Sequence, residues 1–495
     1  MYINFPSIED EPMMSPCPSR CARPVRVLRR ALLPMMVASA LAAPAQAADL
    51  LTIARDALQN NAALSSERAV TRSTEEERRV QRGDLLPQVN TSAEMVHNRQ
   101  DETQSRGGVI SASGTAGDDS YNTARLTLEA TQALYDAINS REVVRAERQI
   151  DQQLYRLAAT EQQVLIDVST AYFEILRAYE VLQARLAQER AIGRQLEQAR
   201  EQFEVGLIAI TEVEEAQASF DRSRAERIAA ESDLQVRFEE LERLTGQRYE
   251  NIEALGQRLP IRPPEFASRD HWVELAMQNN PLVLASQAGI EVSRSSVDIA
   301  RAQRLPTLDA FASYQYSDSD EDGVTGHDEY SQLGLRASLP LYTGGRTSAS
   351  IRQNTYLLES SQYDFEDQRR STIQEVRSRY TRVTNDVSTI EARAQAVVSN
   401  QSALDATRAG YEVGTRNIVD VLNAEQNLYD AIAEHASARY DYVINRLSLR
   451  QQSGLLDVEA LQQINAYLDG GSVAFQLPDE AGSDPVMEIG ERPMP

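Results

Sequence analysis

One segment of this chain occurs twice, and an internal repeat constrains the architecture before any other signal is weighed. Gln202-Phe203-Glu204-Val205-Gly206-Leu207-Ile208-Ala209-Ile210-Thr211-Glu212-Val213 returns as Gly410-Tyr411-Glu412-Val413-Gly414-Thr415-Arg416-Asn417-Ile418-Val419-Asp420-Val421. The stretches that follow close alike, on Leu244-Thr245-Gly246 and on Gln452-Ser453-Gly454. Ala57-Leu58-Gln59-Asn60-Asn61 is matched by Ala276-Met277-Gln278-Asn279-Asn280, Leu86-Pro87 by Leu305-Pro306, and Leu134-Tyr135 by Leu341-Tyr342. A unit of roughly two hundred residues is far longer than a solenoid repeat, so the chain reads as a duplicated domain. The first repeat is expected over residues 48–265 and the second over 266–468.

What precedes the first repeat reads as an export signal. Arg20, Arg23, Arg26, Arg29 and Arg30 come before the apolar run Ala31 to Ala43, and Ala45-Gln46-Ala47 offers small residues for cleavage. A signal peptide over 1–47 is therefore expected; a translation start at Met13 or Met14 would give it ordinary length. The apolar run is well short of the roughly 20 residues a membrane-spanning helix needs. Both cysteines, Cys17 and Cys21, lie inside this leader, so the mature chain would hold no disulfide. Residues 469–495 are rich in Gly, Pro and Asp and read as a disordered tail.

The chain carries a formal charge of −24, and all 50 of its basic side chains are arginine, with no lysine. Such an acidic surface should repel nucleic acid and attract cations. His97, His271, His327 and His435 are scattered without metal spacing, and no nucleophile–base pattern accompanies them. Neither an enzyme nor a cofactor site is expected. Trp272, beside His271, reads as a packing anchor.

Each half reads helix, strand, polar loop, strand, long helix, turn, long helix. Val89, Thr91, Ala93 and Met95 alternate with polar residues, as do Leu126, Leu128 and Ala130 after the loop Asn98 to Ser120. Leu308, Ala310, Ala312, Tyr314 and Tyr316, then Leu333, Leu335, Ala337, Leu339 and Leu341, repeat this in the second half. Period-two alternation indicates strands, each about as long as a membrane-barrel strand. Soluble hairpins packed on helices would show the same pattern. No proline occurs between Pro87 and Pro260 or between Pro340 and Pro478. Ala137 to Glu204 is expected to be nearly continuous helix, on the order of 100 Å long. Val164, Val168, Ala171, Ile175, Ala178 and Leu182 follow coiled-coil spacing, as do Tyr429, Ala433, Ala436, Tyr440, Val443 and Leu447. Four strands cannot close a membrane barrel, whose smallest forms have about eight. A barrel would therefore require several copies of the chain.

Tyr411-Glu412-Val413-Gly414-Thr415-Arg416-Asn417-Ile418-Val419-Asp420-Val421-Leu422 and Ala438-Arg439-Tyr440-Asp441-Tyr442-Val443-Ile444-Asn445 closely resemble the TolC family of outer-membrane channels. Val205 to Val213 resembles the family's first-repeat motif, and Leu339-Pro340-Leu341-Tyr342-Thr343-Gly344-Gly345 its strand-to-helix junction. The match runs from about Leu50 to Leu468. It implies a mixed α and β membrane protein: a homotrimer with a 12-stranded transmembrane β-barrel in outer-membrane lipid, four strands per chain, continued by a periplasmic α-helical coiled-coil barrel. The implied function is a passive exit duct for tripartite efflux or type I secretion, opened by a periplasmic adaptor protein and an inner-membrane RND or ABC transporter. By the same resemblance Val205, Gly206, Leu207, Val413, Gly414 and Thr415 form adaptor-docking tips. Asp420 would ring the constriction, with Asn423 an uncharged ring where the best-known members have a second aspartate. Tyr411 and Arg416 would latch the closed state against Thr211 and Glu212, the latter in place of an aspartate. Without the resemblance, Asp420 is an ordinary helix-start acid.

Two other readings remain. A periplasmic coiled-coil scaffold that forms no channel would use the same helices, with the alternating segments as soluble hairpins. Asp318-Ser319-Asp320-Glu321-Asp322-Gly323, followed by Glu329, satisfies the EF-hand calcium pattern, which would suit a calcium-regulated surface adhesin. Its flanks alternate as strands, which favours an acidic hairpin tip.

Overall fold

The computed structural model describes residues 47–100, 119–256, 260–265, 268–320 and 326–474. The leader up to Gln46, most of the first-half loop, and the tail from Phe475 lie outside the described residues. Chain order is α1 (Leu50–Asn60), α2 (Ala62–Gly83), β1 (Gln88–Gln100), β2 (Asp119–Tyr135), α3 (Ala137–Glu204), α4 (Ile210–Thr245) and β3 (Asn251–Leu255). It continues with α5 (Arg269–Asn279), α6 (Pro281–Ala302), β4 (Thr307–Ser319), β5 (His327–Ser338), α7 (Arg346–Glu412), α8 (Ile418–Gln452), α9 (Val458–Asn465) and β6 (Leu468–Ala474). The order α1 to α4 thus recurs from α5 to α8. The small strands β3 and β6 and the helix α9 have no counterpart in the sequence reading. Residues 469–474 are strand, which moves the start of any polar tail beyond Ala474.

The helices are long because nothing interrupts them. Asp136 caps α3, its Oδ1 accepting from the N–H groups of Ile138 and Asn139, and 68 helical residues follow without a proline. The seam residues Val164, Val168, Ala171, Ile175, Ala178 and Leu182 are buried, as are Ala433, Ala436, Tyr440, Val443 and Leu447 of α8. Trp272 of α5 is buried in the same core as Tyr172 and Phe173.

Antiparallel α3 and α8 are also joined by polar pairs along their length. Arg177 reaches Asp441 at 3.3 Å, and the Tyr440 hydroxyl donates to Glu180 at 2.6 Å. Arg185 meets Asp430 at 2.6 Å, and Gln195 donates to Glu425 at 3.4 Å. The result is a ladder of polar rungs beside the apolar seam.

The repeated Asn-Asn landmark has a structural cause. Asn61 caps α2 through Leu64 N–H, and its Nδ2 donates to the Leu244 carbonyl at 2.9 Å. Asn280 caps α6 through Leu282 and Val283, and its Nδ2 donates to the Gln452 carbonyl at 2.8 Å. Each asparagine therefore starts a short helix and ties it to the end of a long one. Replacing either by alanine leaves buried backbone groups unpaired and should cost about 1–3 kcal/mol. Thermal unfolding in detergent measures the loss, which should be similar at the two sites.

The four long strands form one antiparallel sheet in the order β1-β2-β4-β5. Its registers place Val89, Ala130, Ala312 and Leu333 in one row and Thr91, Leu128, Tyr314 and Ser331 in the next. One largely apolar face therefore runs across both repeats, with Thr91 and Ser331 on its outer strands. That face is uncovered within the chain: Leu333 is 87 % exposed, Met95 80 % and Val89 66 %. No described helix is long and apolar enough to cross a membrane. Asp318 and Ser319 lie in β4 and Glu329 in β5, so strands rather than EF-hand helices flank the acidic loop. The Asp320 carboxylate accepts from the backbone and side-chain N–H groups of Asn122 on β2. Residues 321–325 of that loop lie outside the described residues.

Candidate functional site

The two copies of the repeated segment are the two helix-to-helix turns, α3–α4 and α7–α8. Leu207 N–H reaches the Gln202 carbonyl at 2.8 Å and Gly206 N–H the Phe203 carbonyl at 2.9 Å. In the second turn Thr415 N–H reaches Gly410 at 2.8 Å and Gly414 N–H reaches Tyr411 at 3.0 Å. Both are Schellman closures, in which a left-handed residue lets the last carbonyls of a helix be satisfied. Gly206 and Gly414 both have φ of 75°, so the glycine of each Val-Gly pair is required by the turn itself. The turn leaves its apolar neighbours bare. Val205 and Val413 are 71 % and 74 % exposed, and Leu207 is equally uncovered. Thr415 is exposed, and its hydroxyl donates to the Gly410 carbonyl.

Asp420 stands in the first turn of α8. Asn417 Oδ1 accepts from Asp420 N–H at 2.9 Å while Asp420 Oδ2 faces Asn417 N–H at 3.4 Å, a reciprocal capping box. The Asn417…Asp420 spacing carried that signal in the sequence. Arg416 approaches Asp420 at 3.8 Å, within the same turn. Asn423 is exposed one helical turn further on. The carboxylate thus starts the helix and remains half-exposed.

The structure brings Tyr411 close to Glu212 but bonds it elsewhere. The Tyr411 hydroxyl donates to Gln202 Oε1 at 2.9 Å, joining the two turns through α7 and α3. Burial and the nearby Glu212 charge push the Tyr411 hydroxyl pKa above its ordinary value. Thr211 is exposed at the start of α4, and Arg416 has no described ion pair with Glu212 within the chain.

Sequence reasoning missed a buried pair just behind the tips. Glu425 of α8 has a fully buried side chain, and its Oε1 takes Arg408 of α7 at 2.6 Å and Gln195 of α3 at 3.4 Å. Glu425 Oε2 and Arg408 Nε are buried without a hydrogen-bond partner. A single glutamate on a helix has no periodic signature, so only the meeting of three helices reveals it.

Residues 53–247 and 272–455 match the family model described as outer membrane efflux protein. The outer membrane protein TolC of Vibrio cholerae is 34% identical over 444 residues, covering 88% of this chain and 98% of that one. The alkaline protease secretion protein AprF of Pseudomonas aeruginosa is 34% identical over 332 residues, 66% of this chain and 69% of its own. Among solved structures the transmembrane channel CusC superposes with a TM-score of 0.70 at 17% identity, covering 82% of this chain and 92% of that one, which shows the shared fold. With both Val-Gly turns and both long-helix hairpins inside the matched residues, the chain belongs to the outer membrane efflux protein family.

Proposed function

We propose that this chain is the outer-membrane exit duct of a tripartite efflux or type I secretion system. Three copies close one 12-stranded barrel, β5 of each pairing with β1 of the next, and their helices continue it as a periplasmic tunnel. The observation that carries this is the four-stranded sheet: among the described residues both edges are free, one face is largely apolar and bare, and long helices leave one end. A free edge with an uncovered apolar face demands pairing, and lipid accepts only a closed barrel. Residues 48–265 and 266–468 contribute equally, after removal of the leader at Ala47. The duct is a passive pore without catalysis. The Val205-Gly206-Leu207 and Val413-Gly414-Thr415 turns offer bare apolar tips to a periplasmic adaptor, which couples the duct to an inner-membrane RND or ABC transporter. The relation to AprF supports secretion as one use.

In the trimer Asp420 lines the narrow end, where three carboxylates filter cations, while Asn423 adds a polar ring. Tyr411, Arg416, Thr211 and Glu212 act across neighbouring copies to hold that end closed. Converging charges in a constriction interact far more strongly than in open water. Asp420→Asn tests this with little damage, because the amide oxygen keeps an acceptor for the capping box. Single-channel recording in planar bilayers should give small, cation-selective currents blocked by millimolar divalent cations, with the block weakened about tenfold in the variant. Block unaffected by the substitution would move the filter away from Asp420. No current from a detergent-stable trimer would sink the duct and favour the scaffold.

A further inference from the structure

The first and last described helices hold each other. Ala48 forms a parallel bridge with Ile252 of β3, its N–H donating to the Asn251 carbonyl at 3.0 Å and its carbonyl accepting from Glu253 N–H at 3.1 Å. β3 also pairs with β6. Beside this small sheet Asn465, the last residue of α9, makes two bonds to the start of α1. Its Nδ2 donates to Asp49 Oδ2 at 2.8 Å, and its Oδ1 accepts from Leu51 N–H at 3.2 Å. The other Asp49 oxygen accepts from Thr52 N–H at 2.9 Å, the N-cap bond of α1. Leu50 and Ile53 share a buried cluster with Leu461, Ile464 and Val473.

Local rules explain why neither helix stands alone. α1 has 11 residues and α9 has 8, and helices below about 12–15 residues are marginal without tertiary packing. The first turn of a helix has orphan N–H groups that need acceptors. Here Asp49 meets one and Asn465 another, from the far end of the chain. Burial pushes the Asp49 carboxyl up, but the bonds from Thr52 and Asn465 outweigh it and hold the group below its usual range. The stabilisation that goes with this is complete above the ordinary carboxylate range and is lost as pH falls through the lowered value.

We propose that the Asp49–Asn465 pair is a closing clasp: α1 becomes fixed only when α9 docks, so arrival of the C-terminal segment is the last folding step at this end of the molecule. α1 also packs on α3 and α4, and Tyr249, just past the end of α4, donates to Asp56 at 2.8 Å, so early closure without α9 is the competing possibility.

The full chain, refolded into detergent and sampled by pulsed hydrogen exchange, separates the two. Amides of Ile53, Ala54 and Ala57 should gain protection together with α9 and after α3. Asn465→Ala should delay α1 by roughly tenfold, as two lost hydrogen bonds would, while α3 and α4 keep their timing. The exchange Asp49→Asn with Asn465→Asp rebuilds an amide–carboxylate pair with the ends reversed and still offers Thr52 an acceptor, so it should restore the timing. Protection of α1 together with α3 in the unaltered chain, or unchanged timing in Asn465→Ala, would overturn the clasp. A delay that the exchange does not relieve would assign the effect to α9 packing and overturn it equally.

Discussion

Gly454→Ala should cost about 2–5 kcal/mol of stability, the left-handed cost of about 1–2 added to the roughly 1–3 of overpacking, while Gly246→Ala should cost only about 1–2 kcal/mol. The two glycines are equivalent in the repeat and share a left-handed conformation, with φ of 73° and 68°. Any side chain pays for that conformation. Their surroundings differ. A Cβ on Gly454 would lie 2.2 Å from the Asn279 carbonyl oxygen, 2.4 Å from its carbon and 2.7 Å from Asn280 nitrogen. Those atoms are backbone, held in the α5–α6 junction by the capping and bridging bonds of Asn280, so the clash cannot be relieved by a rotamer change. A Cβ on Gly246 would meet only Asn60 Cβ at 3.9 Å, ordinary contact. Thermal unfolding of both variants in detergent checks the contrast. Equal losses would mean that α8 does not rest on that junction as closely as the geometry has it.

Arg408→Met should be the more damaging cut at the buried pair, at about 3–5 kcal/mol, because it strands a fully buried carboxylate. Glu425→Gln should cost less than about 1.5 kcal/mol, since the amide oxygen still accepts from Arg408, whose side chain is 40 % exposed and can reach water. Removing both charges together, as Arg408→Met with Glu425→Leu, should recover most of the loss, because an apolar replacement of a buried pair is often neutral. The readout is local: hydrogen exchange in the first turns of α8 and proteolysis at the α7–α8 turn. If Arg408→Met left both unchanged, the pair would be incidental to the tip. An intact tip matters because Asp420 projects from the same helix start.

Features that repeat or alternate were legible in the sequence. The absence of proline and the 4-3 spacing located α3 over Ala137–Glu204, as the structure has it. Alternation located all four long strands, although Leu339 and Leu341, expected to end the last of them, lie past Ser338, and the Val-Gly pairs located both turns. The pairing of β2 with β4 was not legible, although it merges the two repeats into one sheet, because alternation gives each strand a face and no partner. β3, α9 and β6 are too short to carry a period, and they exist through contacts among the start of the first repeat, the segment joining the repeats and the end of the second. At the tips the within-chain partners were not legible. Within the chain the Tyr411 hydroxyl bonds Gln202, which a side chain reaches only after two hairpins pack. Asp420 was read for its charge, and its capping role follows from Asn417.

The α3–α8 ladder has a consequence for the chemistry of the surroundings. With no lysine in the chain, its cationic rungs are guanidinium groups, as in Arg177–Asp441 and Arg185–Asp430. A lysine ammonium releases its proton at about pH 10.4, whereas arginine holds its charge beyond about pH 12. The hydroxyl rung is protected in the same direction, since burial and then the Glu180 charge push Tyr440 far above an ordinary tyrosine. An alkaline medium that would discharge a lysine-built coiled coil finds no ammonium in this ladder. The ladder is thus alkali-tolerant by composition.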